Sequence, residues 1–156
     1  MLAFDDVMIR AAAAKYGLPW ALVKALIETE SGFNPWAYRY EPHYKYLVGS
    51  NLRITEQIGQ QTSWGLMQVM GAVAREHGFT GWFPELCQPA VGLEYGCRHL
   101  KRYADKYGNW PDVIASYNAG SPRKVGEQYV NQSYVDKVLR AWDQYDQSPP
   151  IKETET

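Results

Sequence analysis

Apolar side chains recur along this chain at helical intervals in six stretches, and most of them stop at a glycine. The first, Asp5 to Tyr16, carries four consecutive alanines and stops at Gly17. The second opens at Pro19, a residue suited to a first helical turn, and runs to Ser31 with Leu22, Val23, Leu26 and Ile27 on one face. The pattern then breaks at Phe33-Asn34-Pro35, and no helical period is sustained until about Thr62. It resumes from Gln68 to His77 and stops at Gly78. The longest stretch follows, Gln88 to Tyr107, with Val91, Leu93, Tyr95, Leu100 and Tyr103. Pro111 to Tyr117 is closed by Asn118-Ala119-Gly120, and Ser133 caps a last helix whose apolar face is Tyr134, Val135, Val138, Leu139 and Trp142. The fold class expected is mainly α, with an irregular insert around residues 33–62 for which partial β structure is an open alternative. A connection that long marks a binding loop or a small irregular subdomain.

Length and composition narrow the class. The chain has 156 residues, enough for one domain. That domain is expected over 1–146, followed by a disordered tail, 147–156, that holds Pro149 and Pro150. Lys and Arg total 16 against 17 Asp and Glu, and no basic block stands out, so nucleic acid is not expected as a partner. No stretch approaches the length of a membrane span. Residues Met1 to Asp6 lack a basic region, an apolar run and a cleavage-like site, so synthesis in the cytoplasm without a secretory signal is the expectation. Cys87 and Cys97 read as small buried thiols without the close companions of a zinc site, and no metal is expected. The 12 Tyr and 6 Trp exceed what a small core needs, which suggests that some line a groove.

One acid departs from the pattern. Glu30 lies four residues after Leu26 and three after Ile27, so it continues the apolar face of its helix, whereas Glu28 points almost the opposite way, toward water. Burial disfavours a carboxylate, so Glu30 should keep its proton near neutrality, as a general acid must. Its place before Ser31-Gly32 also fits a glutamate that ends a helix and turns to solvent. Taken alone, the residue leaves both readings open.

Three short motifs bear on the choice: Glu30-Ser31-Gly32-Phe33-Asn34-Pro35, Ser63-Trp64-Gly65-Leu66-Met67-Gln68, and Ser116-Tyr117-Asn118-Ala119-Gly120. Each alone also reads as a helix end or a glycine turn. Together, in this order, they resemble the soluble lytic transglycosylase (SLT) catalytic domain of the lysozyme-like superfamily, whose motifs run E-S-x-F-N-P, G-L-M-Q and A-Y-N-A-G. The resemblance spans about Asp5 to Tyr145 and ends in the stretch from Tyr134 to Val138. It implies Glu30 as the single catalytic acid with Ser31 beside it. Ser63, Gly65, Met67 and Gln68 fall in a wall of the sugar groove, and Tyr117, Asn118 and Tyr134 lie near the carboxyl. A phenol such as Tyr117 would donate a hydrogen bond to the carboxylate. The substrate implied is peptidoglycan, cleaved between N-acetylmuramic acid and N-acetylglucosamine without water, so that the muramic C6 hydroxyl closes on C1. No cofactor is implied, and a monomer is expected.

Two departures qualify this. Gly65 follows Glu30 at an offset of 35 positions, a long gap, and Glu41 and Glu56 lie within it. Either could serve as a second carboxylate for hydrolysis, as added carboxylates do in the related goose-type lysozymes, although a solvated loop acid is the ordinary reading. Most cellular members of the family are exported or lipid-anchored, whereas this chain opens almost at the catalytic domain, which suits delivery to the wall by a phage lysis or virion system. A non-catalytic wall-binding or virion module is the alternative outside enzymes. His43, His77 and His99 read as structural or solvated.

Overall fold

Asp5 begins the first helix by accepting a hydrogen bond from the Met8 N–H at 3.0 Å, which satisfies one of the orphan donors of α1, Asp6–Lys15. The computed structural model describes residues 4–147, so the tail expected to be disordered lies outside the described residues from 148 onward. Helix α2, Trp20–Ser31, buries Ala21, Leu22, Val23, Ala25, Leu26 and Ile27, and Gly32 ends it in the left-handed conformation at φ 59°. Its principal partner is α7, Gln132–Asp146, which buries Val135, Val138 and Ala141. The chain also forms α5, Pro89–Lys106, and α6, Trp110–Ala119. These helices share one core with the Gly65–Val69 turn, which includes Leu66, Met67, Leu86, Leu93, Leu100 and Ile114. At about 25 cal/mol per Å² of apolar surface, this burial is the main stabilising term of the fold.

The insert is more ordered than its polarity suggests. Strand β1, Tyr38–Tyr40, pairs antiparallel with β2, Thr62–Trp64, and β2 pairs with β3, Val69–Met70. Between β1 and β2 lies α3, Ile54–Gln60, where no helical period had been expected. Its two isoleucines, Ile54 and Ile58, are exposed, and the helix is seated through Gly59 and Gln60 instead, so no apolar stripe announces it.

A second correction concerns the helix expected over Gln68 to His77. Gln68 takes φ 49°, β3 follows, and α4 is only Gly71–Glu76. Met67 and Val69 alternate with Gln68 around a tight turn rather than along a helix. Gly65 makes that turn possible: at φ 75° it has no room for a side chain, since a Cβ would lie 2.3 Å from the Leu86 carbonyl oxygen. Two smaller elements were also not expected, a 3-10 helix at Phe83–Cys87 and a hairpin of β4, Lys124–Val125, with β5, Gln128–Tyr129. The last helix starts after Asn131 rather than at Ser133.

Alternation along β1 and β2 gives the small sheet two faces. Tyr38, Tyr40, Thr62 and Trp64 share one, over a cavity of about 780 Å³ that also includes Glu56 and Arg75. Arg39 and Ser63 share the other, toward the end of α2. None of the helices among the described residues is long and apolar enough to cross a membrane.

Candidate active site

The last turn of α2 carries Glu30 to the edge of the core, where the helix face is apolar and α7 crosses it. Tyr134, in the first turn of α7, donates its hydroxyl to Glu30 Oε1 at 2.6 Å. Burial is the largest influence on this carboxyl and raises its pKa from the ordinary 4.5 to about 7, while the Tyr134 bond and the charges of Arg39 and Lys137 pull it down and Glu41 pushes it up. Desolvation wins, so near neutral pH the group is poised between its two forms. The phenol of Tyr134 is itself held well above its ordinary pKa, first by burial and then by Glu30, so it stays a donor.

The partner differs from the one expected. Tyr117, on the buried side of α6, donates to the Met67 carbonyl at 2.7 Å and not to Glu30. It joins α6 to the Gly65–Val69 turn. Behind it packs His99, whose ring centroid is 5.4 Å away and whose pKa burial pushes down to about 3, so the wall behind Tyr117 is uncharged. Glu28 likewise departs from the solvated position expected, because Tyr145 near the end of α7 donates to it at 2.6 Å. Helix α7 thus reaches α2 with a phenol at each end.

The remaining candidates divide into those that are exposed and those that build the turn between β2 and β3. Met67 is fully buried and acts as core, and a Cβ on Gly96 of α5 would lie 2.4 Å from its sulfur. Gln68 is committed on both sides of its amide: Nε2 donates to the carbonyls of Ala37 and Gly65, and Oε1 accepts from Ser63 Oγ at 2.9 Å. Ser63, Gly65, Met67 and Gln68 therefore shape the turn and hold β1 to it, and the expectation of direct sugar contact by the Met67 side chain is corrected by its burial. Ser31 turns its hydroxyl back to the Ile27 carbonyl, a bond that suits a helix end. Asn118 is exposed, and Asn131 fixes its orientation by donating to its Oδ1 at 2.9 Å and to the Ala115 carbonyl at 3.1 Å.

The two insert carboxylates part company. Glu41 lies on the Glu30 side, close enough to act on its charge, and Arg39 Nη2 and Nε grip it at 2.6 and 3.1 Å. Glu56 lies on the other side of the sheet, where Arg75 Nε and Nη2 hold its two oxygens at 2.8 and 3.1 Å and Gln60 adds a third bond. The Arg75 guanidinium keeps its pKa below the ordinary carboxylate value. The structure therefore makes Glu56 a strut between α3 and α4 rather than a group facing Glu30. Arg39, Lys137 and Asn131 were not anticipated; only proximity in the fold gives them their roles. No group of three or more His, Cys, Asp or Glu able to hold a metal occurs among the described residues, and Cys87 and Cys97 are both free and buried.

A mainly helical body with a small three-stranded sheet beside a desolvated glutamate defines a lysozyme-like glycan-cleaving architecture, and the family model for the transglycosylase SLT domain matches residues 7–137. The chain belongs to the transglycosylase SLT domain family, and at that level it is a peptidoglycan lytic transglycosylase, a lyase. It is 26% identical to protein IpgF of Shigella sonnei over 134 residues, covering 84% of this chain and 76% of that protein. It is 28% identical to a transglycosylase of Enterobacteria phage PRD1 over 132 residues, covering 85% of this chain and 40% of the phage protein. It is also 26% identical to membrane-bound lytic murein transglycosylase C of Histophilus somni (strain 2336) over 157 residues, covering 85% of this chain and 38% of that protein.

Proposed function

We propose that this domain, acting as a single chain, cleaves the β-1,4 bond from N-acetylmuramic acid to N-acetylglucosamine in peptidoglycan strands, with Glu30 as acid and then base, leaving 1,6-anhydromuramic ends. The observation that carries the reading is the setting of Glu30: a desolvated carboxyl with a pKa of about 7 whose hydrogen-bond partner is a phenol and not a cation. Such a group can give a proton and take one back at the same pH. In the first step Glu30 protonates the glycosidic oxygen as the bond to muramic C1 breaks. The resulting carboxylate, steadied by Tyr134, then removes the proton of the C6 hydroxyl while O6 bonds to C1. The proton returns to Glu30 and no water is consumed.

Hydrolysis needs a second carboxylate placed to activate water. Glu41 is the residue that keeps this alternative in view, because it is close enough to raise the pKa of Glu30. Both Arg39 bonds fall on its Oε1 and tie the carboxylate into an ion pair, which makes it a weaker base and favours transglycosylation. Action at the cell wall, by phage-type delivery, agrees with the likeness to a phage protein named as a transglycosylase. The experiment is mass spectrometry of muropeptides released from purified peptidoglycan. Products lighter by one water than those of a hydrolytic lysozyme are expected; reducing ends would replace this reading with hydrolysis.

A further inference from the structure

The strap that follows β1 runs through residues 41–50 without regular structure, yet side chains at the buried end of α3 fix its path. Gln60, 1% exposed, accepts the Val48 N–H at 2.7 Å and donates to the Val48 carbonyl at 3.0 Å. Gln61 donates to the carbonyls of Pro42 and Tyr44 at 3.1 and 3.0 Å, and its own carbonyl accepts the Glu41 N–H at 2.8 Å. Buried amides are costly unless satisfied, and here their bonds go to the strap. The insertion is therefore a held surface.

That surface encloses a pocket of about 470 Å³ lined by Arg39, Glu41, His43, Tyr44, Lys45 and Tyr46. Its charge is unbalanced. Arg39 is engaged by Glu41, whereas Lys45 has no carboxylate within ion-pair distance among the described residues and lies 5.6 Å from the centre of the Tyr46 ring. Arg39 and Glu41, which line this pocket, lie on and just after β1, the strand that follows the end of α2 carrying Glu30, and their charges act on that carboxyl. A ligand suited to it carries an anion, offers apolar stretches to two tyrosines, and starts from a sugar seated at Glu30. A neutral glycan lacks the anion. Muramic acid supplies it, because its lactyl group carries a peptide with free carboxylates.

We infer that this pocket holds a carboxylate of the peptide stem on the muramic acid seated at Glu30, with Lys45 as its cation and Tyr44 and Tyr46 as walls. The inference rests on the glycan-cleaving reading above. Uncrosslinked glycan strands free of phosphate-bearing polymers test it through kcat/KM, with stems intact or removed by an amidase, which takes away the stem carboxylates and leaves only the lactyl carboxylate on the sugar. The wild-type chain is expected to prefer stem-bearing strands by about tenfold, the scale of one charge-assisted contact. That preference should shrink as salt rises, fall by about half on a logarithmic scale in Lys45→Ala, and approach parity in Lys45→Glu. Lys45 is exposed, and thermal unfolding checks that both variants fold. Equal rates on the two substrates, or a preference that survives Lys45→Glu, overturns the stem pocket and leaves glycan cleavage standing. Cleavage of neither substrate by the wild type removes the glycan-cleaving reading and the inference with it.

Discussion

Glu30 and Glu56 carry the same side chain on opposite sides of one small sheet, and their surroundings drive them apart. Glu30 meets an apolar helix face and a phenol, and burial raises its pKa to about 7. Glu56 meets a guanidinium that grips both its oxygens, and its pKa falls below the ordinary value. The difference lies first in burial, which is deep at Glu30 and slight at Glu56, and then in the partner's charge. A neutral donor stabilises the carboxylate too weakly to offset desolvation, so the proton stays available; a cation more than offsets it, and the proton is gone. A neutral partner suits an acid that must cycle, and a cation suits a joint between helices.

The largest effect that sharpens this contrast is expected at Glu30 itself. Glu30→Gln keeps the shape and the acceptor for Tyr134 but removes the proton donor, and strand cleavage should fall by about 10³-fold or more. Variant activity near the wild-type level would sink the assignment. Stability should move the other way. Because the folded pKa of Glu30 lies above its unfolded value, wild-type stability is fully present below about pH 4.5 and declines as pH rises through about 7. Glu30→Gln escapes that decline, so at pH 8 it should gain on the order of 1–2 kcal/mol over its relative stability at pH 4.5, a figure discounted for partial exposure. Denaturant titrations at the two pH values read this directly.

Glu56→Gln should do the reverse: activity stays and stability drops. It leaves Arg75, whose side chain is 16% exposed, without its carboxylate, at a cost of about 2 kcal/mol in unfolding free energy. A loss of cleavage in the folded variant would show that Glu56 belongs to the chemistry after all.

Tyr134→Phe ranks next. The Tyr134 bond favours the carboxylate form, so removing it raises the pKa of Glu30 further and moves the alkaline limb of the kcat/KM profile to higher pH. At the same time the carboxylate left after the first proton transfer loses its donor, and kcat should drop by about tenfold. A lower kcat with an unmoved limb would mean that Tyr134 acts through packing alone.

Much of this arrangement was legible in the chain, for a physical reason. The helical body shows its period because α2, α5 and α7 bury one face each, and Glu30 stands out as an acid on such a face. The partner of Glu30 was harder to read. Tyr134 and Tyr117 are both tyrosines on buried helix faces, and only the crossing of α2 by α7 decides which phenol reaches the carboxyl. The insert was least legible. Helix α3 is seated by a glycine and a glutamine, and β1 is exposed at all three residues, so neither carries an apolar period. Its order comes from side-chain amides bonding to backbone 12 to 19 residues away, which no local pattern encodes.

The smallest effect falls on Glu41, and it separates the two chemistries. Glu41 raises the pKa of Glu30 by its charge, while Arg39 lowers it. Glu41→Gln removes the first influence and frees Arg39 to act without its counterion. Both changes lower the pKa of Glu30, so the alkaline limb should move to lower pH and activity near neutrality should fall by about two- to fivefold, with the acid-side rate nearly unchanged. A water-activating base would behave otherwise. Its loss should cost about 10²-fold or more at every pH, the acid side included, on top of the same shift of the limb. The pH profile of Glu41→Gln thus distinguishes a neighbour that tunes Glu30 from a partner that shares its work, and the Arg39 fork on Glu41 favours the tuning neighbour.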